Sequence, residues 1–190
     1  MKKIVAAAVL IGCCLLGAAY AAAPRGWFAY VSGAPNDSFA VGTEASTRAA
    51  GSNSAFIRAK PDNNQGFGSL MQSVDAAAYQ GKRVRFSGYL RSQGAGKGSL
   101  WMRVDGADKK PAAFDNMDDR ALQGDTPWKQ VAVVLDVPDN ARDIAFGVLL
   151  ENKGQVWADG LKFEVVGKDV PTTGGDHALS RAPVNLDFAQ

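Results

Sequence analysis

The chain has 190 residues, of which 46% are apolar, 21% charged and 9% aromatic, a balance typical of a folded globular domain. This composition excludes a disordered, collagen-like or multi-span membrane protein. The formal net charge of +2 is accounted for by Lys2 and Lys3, and the uncharged balance of the remaining chain argues against nucleic-acid binding. The single histidine, His177, excludes a histidine-rich metal site.

The first 21 residues are predicted to be a secretory signal peptide. Lys2-Lys3 is a basic start, Ile4–Leu16 is an apolar run, and Ala19-Tyr20-Ala21 has the small-x-small pattern of a cleavage site. We therefore expect cleavage after this pattern and a periplasmic or secreted protein. The alternative is lipidation, because Leu10-Ile11-Gly12-Cys13 resembles a bacterial lipobox. A lipid on Cys13 would make the protein an outer-membrane lipoprotein, and only then is a membrane an expected partner.

Both cysteines, Cys13 and Cys14, lie inside the predicted signal peptide. The rest of the chain is therefore expected to have no disulfide, no thiol nucleophile and no thiolate metal ligand. Its stability must come from a hydrophobic core. The length suffices, since a domain of about 150 residues buries about 68–70% of the surface of its unfolded chain.

Apolar and polar residues alternate with a period of two along most of the remaining chain, and no long run has a helical period. The clearest strand is Arg83–Arg91, in which Val84, Phe86 and Leu90 share the predicted core face. Gln93–Gly98 follows as a predicted flexible loop, and alternation resumes at Leu100–Asp105. These three segments predict a β-hairpin.

The same alternation, or a short apolar run, predicts about ten short strands in all, with turns every 8 to 12 residues or so. This pattern predicts an all-β, antiparallel two-sheet β-sandwich over residues 22–166 rather than an α/β domain. The other strand segments are Trp27–Tyr30, Phe39–Thr43, Ala55–Arg58, Ser69–Val74, Ala112–Phe114, Gln130–Val137, Ile144–Leu150, Gln155–Ala158 and Leu161–Val165.

Residues 167–190 are predicted to be a surface linker and a tail, because Pro171, Thr172-Thr173 and Gly174-Gly175 replace the apolar alternation. The tail ends in Asn185-Leu186-Asp187-Phe188. We expect this short segment to pair as an edge strand beside the N-terminal segment, and the alternative is a remnant of a second domain.

The order of features from Trp128 to Val166 carries a family resemblance: a tryptophan, a β run, a Val-Pro-Asp turn, an Ile-Ala-Phe-Gly-Val run, Val156-Trp157-Ala158-Asp159 and then Leu161-Lys162-Phe163. Together with Gly81–Tyr89 and Gly26-Trp27, this order resembles the galactose-binding-like jelly rolls, the β-sandwich family that includes many carbohydrate-binding modules. The resemblance covers about residues 26–166. It implies a jelly-roll sandwich and a carbohydrate as ligand.

Two shorter phrases, Leu100–Gly106 and Phe114-Asp115-Asn116-Met117, resemble a group of bacterial proteins that are labelled hypothetical or transcriptional regulator. The sequence has no helix-turn-helix pattern that would support regulation through DNA.

The open face of the predicted hairpin combines aromatic and charged side chains, which suit a binding platform. Aromatic faces stack on sugar rings, and arginine and carboxylate groups supply directional hydrogen bonds. In the alternative interpretation Trp101 packs under a loop or against the second sheet, and Arg103 and Asp105 simply pair at the surface. The predicted ligand-binding residues are Tyr89, Arg91, Trp101, Arg103 and Asp105, with Trp157 as a further candidate.

No catalytic residue and no cofactor are predicted. Asp176, His177 and Ser180 have the residue types of a catalytic triad, but they crowd into the predicted linker, where no rigid scaffold would hold them. A structural Ca²⁺ is the alternative to no metal, because oxygen ligands cluster around one loop, although their spacing matches no EF-hand. Those residues are Asp105, Asp108, Asp115, Asn116, Asp118 and Asp119.

The sequence therefore predicts an exported, non-catalytic binding module for a carbohydrate or envelope glycan, with no nucleic-acid partner. The first alternative is an envelope protein-interaction or sensor accessory domain that contacts another protein. The second is a glycan hydrolase with a carboxylate pair that the sequence does not single out.

Overall fold

The computed structural model describes residues 23–174; the predicted signal peptide, His177 and the segment Asn185–Phe188 lie outside them. The described chain forms nine strands, and it contains no helix long and apolar enough to cross a membrane. The strands are β1 Phe28–Ser32, β2 Phe39–Ala45, β3 Asn53–Ala59, β4 Phe67–Asp75, β5 Arg83–Gly106, β6 Pro111–Asp115, β7 Leu122–Asp136, β8 Ala141–Glu151 and β9 Gln155–Val166.

The strands form two layers that share the long strand β5. The first layer has the order β1-β4-β8-β5-β6 and uses the second half of β5. The second layer has the order β7-β5-β9-β3-β2 and uses the first half. All pairings among these nine strands are antiparallel. The predicted all-β antiparallel sandwich is thereby confirmed.

The predicted hairpin between Arg83 and Asp105 is wrong, because this stretch is one continuous strand. The glycine-rich segment Gly94–Gly98 does not turn back; it carries β5 from one layer into the other, with register shifts against β7. Glycine is needed there because a Cβ on Gly96 would lie 2.6 Å from the carbonyl oxygen of Glu151. The glycines were interpreted as a loop, but they allow β5 to cross from one layer to the other.

The core lies between the layers and follows the predicted alternation of side chains. Val84, Phe86 and Leu90 of β5 are fully buried, as predicted. Phe146 of β8 meets Phe86 and Phe163 across the core, with ring centroids 5.0 Å and 4.6 Å apart. Burial of these large apolar side chains is the main favourable contribution to folding in a chain without cysteines outside its first 21 residues.

Residues 167–174, the described part of the predicted linker, lie against β7. The guanidinium of Arg83 donates hydrogen bonds to the carbonyl oxygens of Lys168, at 2.8 Å, and Val170, at 2.5 Å. The backbone N–H of Thr173 donates to the carbonyl oxygen of Val134, at 2.8 Å, and the Thr173 hydroxyl accepts from the Val134 N–H at 2.6 Å. The chain is thus held to the sandwich for eight residues beyond β9.

Candidate ligand-binding groove

A groove of about 400 Å³ lies on the outer face of the first layer. The edge strands β1 and β6 supply its two rims, and β4, β8 and β5 supply its floor. This volume falls within the range of about 300–1,000 Å³ that is usual for ligand sites. The lining residues are Phe28, Tyr30, Phe67, Ser69, Met71, Trp101, Arg103, Phe114 and Leu149.

The rims of the groove carry exposed aromatic rings. Phe28 and Tyr30 of β1 are 47% and 51% exposed, and Phe114 of β6 is 50% exposed. Within residues 23–174 only four large hydrophobic side chains are exposed, and three of them line this groove. Exposed apolar side chains are common singly, but a group of them around one groove is the surface signature of a binding site.

Trp101 forms the floor of the groove rather than an open platform. Its Nε1 donates a hydrogen bond to Ser69 Oγ, at 2.9 Å, and that hydroxyl donates to the carbonyl oxygen of Val148, also at 2.9 Å. Because β8 lies between β5 and β4, the indole must cross β8 to reach Ser69. Gly147 is the register partner of Trp101 on β8, and a Cβ on this glycine would lie 2.4 Å from the carbonyl oxygen of Leu70. Only 9% of Trp101 is exposed.

Arg103 brings the one charged group into the groove lining. Its Nε and Nη2 donate to Asp105 Oδ2, at 3.0 Å and 2.8 Å, and Asp105 is itself buried. This pair fixes the plane of the guanidinium and offsets its charge. The N–H groups on Nη1 remain available to a ligand, because Arg103 makes no other hydrogen bond with the described residues.

The outer face of the second layer carries the other predicted aromatic residues. The Arg91 guanidinium lies 4.7 Å from the ring centre of Trp157, and the Arg48 guanidinium lies 4.4 Å from that of Tyr89. Trp157 Nε1 donates to Glu44 Oε1 at 2.6 Å. These rings are therefore covered by arginines and tied to the β2–β3 hairpin, in contrast to the open rings of the groove.

Asp159 organises this covered face. Burial alone would raise the pKa of Asp159, but hydrogen bonds from Ser46 and Arg48 outweigh burial and hold that pKa below its ordinary value. The carboxylate thus stays ionised and binds Arg48 at 3.2 Å, which keeps the guanidinium over Tyr89. The ion pair between Asp159 and Arg48 therefore keeps the Tyr89 ring covered.

The structure separates the predicted site residues into two groups on opposite outer faces. Trp101 and Arg103 line the groove and Asp105 binds Arg103 from outside the lining, whereas Tyr89, Arg91 and Trp157 lie on the second layer. The single platform on a hairpin is therefore wrong, because β5 passes from one layer to the other. Sequence reasoning missed the rim residues. The alternation that includes Phe28 and Tyr30 indicated that both side chains share one face of a strand. Which face of the sheet this is depends on the pairing of β1 with β4, which the sequence does not give.

The structure does not gather the oxygen ligands of the predicted Ca²⁺ alternative around one point. Within residues 23–174 no three His, Cys, Asp or Glu side chains are placed to hold a metal ion. The aspartates instead pair with basic side chains: Asp105 with Arg103, Asp108 with Lys110, Asp115 and Asp119 with Arg120, and Asp118 with Lys97.

No protein-family model matches the sequence. The chain is 38% identical over 170 residues to a Bacillus subtilis (strain 168) protein named uncharacterized HTH-type transcriptional regulator YbfP, a match that includes 87% of this chain. The chain spans 57% of the length of that relative. The predicted resemblance to bacterial proteins labelled as regulators is thus confirmed.

Three solved structures share the fold at low sequence identity. The enzymatically active domain of tailspike protein 4 from bacteriophage CBA120 aligns with a TM-score of 0.58 and 14% identity, over 75% of this chain and 20% of that one. The CBM22-1 xylan-binding domain of Paenibacillus barcinonensis Xyn10C aligns with a TM-score of 0.54 and 14% identity, over 77% and 90%. The C-terminal family 22 carbohydrate-binding module of Clostridium thermocellum Xyn10B aligns with a TM-score of 0.54 and 15% identity, over 75% and 87%.

At these identities the likeness concerns the fold. The predicted resemblance to the β-sandwich of carbohydrate-binding modules is therefore confirmed at the level of the fold, and the function must be argued from the groove.

Proposed function

We propose that this chain is a non-catalytic module that binds a carbohydrate in the groove on its first layer. The observation that carries the proposal is the grouping of Phe28, Tyr30 and Phe114 around one groove, since these are three of the four large exposed hydrophobic side chains of the described residues. Aromatic faces pack against the C–H faces of sugar rings, and the Nη1 donors of Arg103 suit sugar hydroxyls.

A polysaccharide is the favoured class of carbohydrate. The rims stand on the two edge strands of a five-stranded layer, about 19 Å apart at the usual strand spacing, which is longer than a single sugar ring. Two of the structures that share the fold are a xylan-binding domain and a family 22 carbohydrate-binding module of a xylanase. Xylan is therefore the first polysaccharide to test.

The chemistry of the groove supports binding without hydrolysis. Two-carboxylate glycoside hydrolysis needs an acid and a second carboxylate on either side of the bond that is cleaved. The groove lining contains Arg103 and no carboxylate. Export from the cytoplasm, and lipidation at Cys13, stay predictions from the sequence.

A second candidate function is a sensor accessory domain. The observation that favours it is the 38% identity over 170 residues to a longer protein that is named a transcriptional regulator. A groove that recognises a ligand would serve a sensor as well as a carbohydrate-binding module. The two functions differ in the consequence of binding, since a sensor would change its association with a protein partner when the ligand binds.

A thermal-shift screen of the full chain against xylan, β-glucan, galactan and bacterial envelope polysaccharides tests the proposal. A ligand at about 100 times its Kd stabilises the folded state by about 2.7 kcal/mol, which raises Tm measurably. We expect at least one polysaccharide to raise Tm in the wild-type chain, and to raise it much less in Tyr30→Ala and Phe114→Ala.

Val165→Ala is the matched control, because Val165 is 51% exposed but lies on β9 in the second layer. This variant should respond to the polysaccharide as the wild type does. If no polysaccharide raises Tm, carbohydrate binding is wrong, and capture of a protein partner by the wild type but not by Tyr30→Ala would favour an interaction domain instead.

A further inference from the structure

A second hollow, separate from the groove, opens between the two layers and encloses about 330 Å³. It is lined by the segment that precedes β1 and by residues of β2, β3, β4 and β9. Its main lining residues are Trp27, Thr43, Asn53, Ala55, Ala158 and Asp159. None of these residues lines the groove.

The hollow exists because small side chains occupy core-facing positions on neighbouring strands. Ala55 of β3 pairs in register with Ala158 of β9, and both line the hollow. Two residues away, Ile57 pairs with Val156 and both are fully buried, so the same space between the layers is filled there. Larger residues at the two alanines would close the hollow.

Unpaired polar groups stand at the walls of this hollow. The side chain of Asn53 and the indole N–H of Trp27 form no hydrogen bond within residues 23–174. The Trp27 ring meets Phe146 edge-on, with centroids 6.2 Å apart and an interplanar angle of 84°. An apolar floor with a few polar groups at its walls is the usual composition of a small-molecule site.

The charges around the hollow indicate a neutral ligand. Asp159 lines it, but the carboxylate of this residue is on the outer face of the second layer, where it binds Arg48 at 3.2 Å and accepts from Ser46 and Ser54. The pair leaves no net charge for an ammonium or carboxylate group of a ligand. The remaining polar groups, the Asn53 amide, the Thr43 hydroxyl and the Trp27 indole N–H, match ligand hydroxyls that both donate and accept.

We infer that this hollow is a second binding site that takes a single neutral sugar or a polyol of similar size. Its volume of about 330 Å³ lies within the range of about 300–1,000 Å³ for ligand sites, and its position between residues of both layers suits one ring rather than an extended chain. The ligand would place an apolar face toward Ala55 and Ala158 and its hydroxyls toward Asn53 and Trp27. The inference does not depend on the groove.

Titration of the full chain with D-glucose, D-galactose and D-xylose, followed by the ¹⁵N–¹H signal of the Trp27 indole, tests the site. We expect a saturable shift with at least one sugar and a Kd of the order of 1 mM. Asn53→Leu should weaken this binding about tenfold or more, because it removes hydrogen bonds at an exposed position without disturbing the core. Asn64→Leu, a change of the same kind on the exposed β3–β4 connection, should have no effect.

Trp101→Ala separates this site from the proposed groove. Loss of polysaccharide binding in Trp101→Ala with an unchanged Trp27 titration supports two sites. The inference is overturned if the Trp27 signal shows no saturable shift up to about 100 mM of any of the three sugars, far above a millimolar Kd. It is also overturned if Asn53→Leu and wild type titrate alike.

Discussion

At the scale of single residues, the position of Trp101 depends on a neighbour that the sequence does not mark as functional. Ser69, which lies two strands away on β4, accepts the indole N–H at 2.9 Å. The sequence predicted Trp101 either as an open platform residue or as a packed one. Whether Trp101 is open or packed depends on which strand lies beside β5. The alternation of residues within one strand cannot predict which strand is its neighbour.

Ser69→Ala should lower the free energy of unfolding by about 1–3 kcal/mol, because it leaves the buried indole N–H of Trp101 without a partner. Urea unfolding at equilibrium measures the change. Ser73→Ala is the matched control, since Ser73 lies on the same strand and face but is exposed and makes no hydrogen bond through its side chain with the described residues. Equal losses in the two variants would show that the indole does not depend on Ser69.

At the scale of elements, β5 is the part of the fold that sequence reasoning described least well. The core face of its first half was predicted correctly through Val84, Phe86 and Leu90. The crossing of β5 between the layers at Gly94–Gly98 was not predicted. Glycines that allow a turn also allow a strand to pass close to another backbone. The crossing contacts the carbonyl of Glu151 and the turn Asn152–Gly154. These residues are distant from Gly94–Gly98 in sequence, so the local pattern could not predict the contacts.

Gly154→Ala should destabilise the fold more than Gly51→Ala, although both glycines have left-handed φ angles, of +83° and +79°. A non-glycine residue in that region costs roughly 1–2 kcal/mol. A Cβ on Gly154 would in addition lie 2.4 Å from the carbonyl of Gly94 on β5, whereas a Cβ on Gly51 would meet nothing within 4 Å. The difference in urea midpoints measures the close approach to β5, and equal midpoints would contradict the described crossing.

At the scale of the whole molecule, ion pairs tie the chain beyond β9 to the sandwich. Asp136 of β7 binds Arg83 at 2.9 Å and Lys168 at 2.8 Å, and Arg83 also holds the backbone of residues 168–170. The hydrogen bond from Arg83, helped by Lys168, lowers the pKa of Asp136 to about 2. The composition of residues 167–190 predicted a surface linker, but it could not predict that Arg83, on a distant strand, binds the backbone of this segment.

This lowered pKa predicts a dependence of stability on pH. Because the folded-state pKa of about 2 lies below the ordinary value of 3.8, the ionised Asp136 stabilises the fold above pH of about 4, and that contribution is lost as the pH falls toward 2. Asp136→Asn should therefore lose less stability than the wild type between pH 5 and pH 2 or so. The effect should be small, since the carboxylate is half exposed.

Thermal unfolding at several pH values measures this difference. Asp62→Asn, on an exposed turn and outside any ion pair of the described residues, should follow the wild-type curve. A wild-type curve parallel to that of Asp136→Asn over this pH range would contradict the proposed role of Asp136.

The four tryptophans can report directly whether a carbohydrate binds on the outer face of the first layer. Trp101 forms the floor of the groove, Trp157 lies on the opposite outer face, Trp27 lines the hollow, and Trp128 donates its indole N–H to Thr47. The indole N–H groups of Trp101, Trp27 and Trp157 therefore report three different surfaces in one ¹⁵N–¹H spectrum. Trp128 reports the same face as Trp157, because Arg91, whose guanidinium lies over Trp157, also donates to Thr47.

The most direct measurement is this indole spectrum, recorded while the full chain is titrated with the polysaccharide fragment that raises its Tm. We expect a saturable shift of the Trp101 signal, with the Trp157 and Trp128 signals unchanged. A shift of Trp157 with an unchanged Trp101 would place the binding site on the second layer and contradict the central claim.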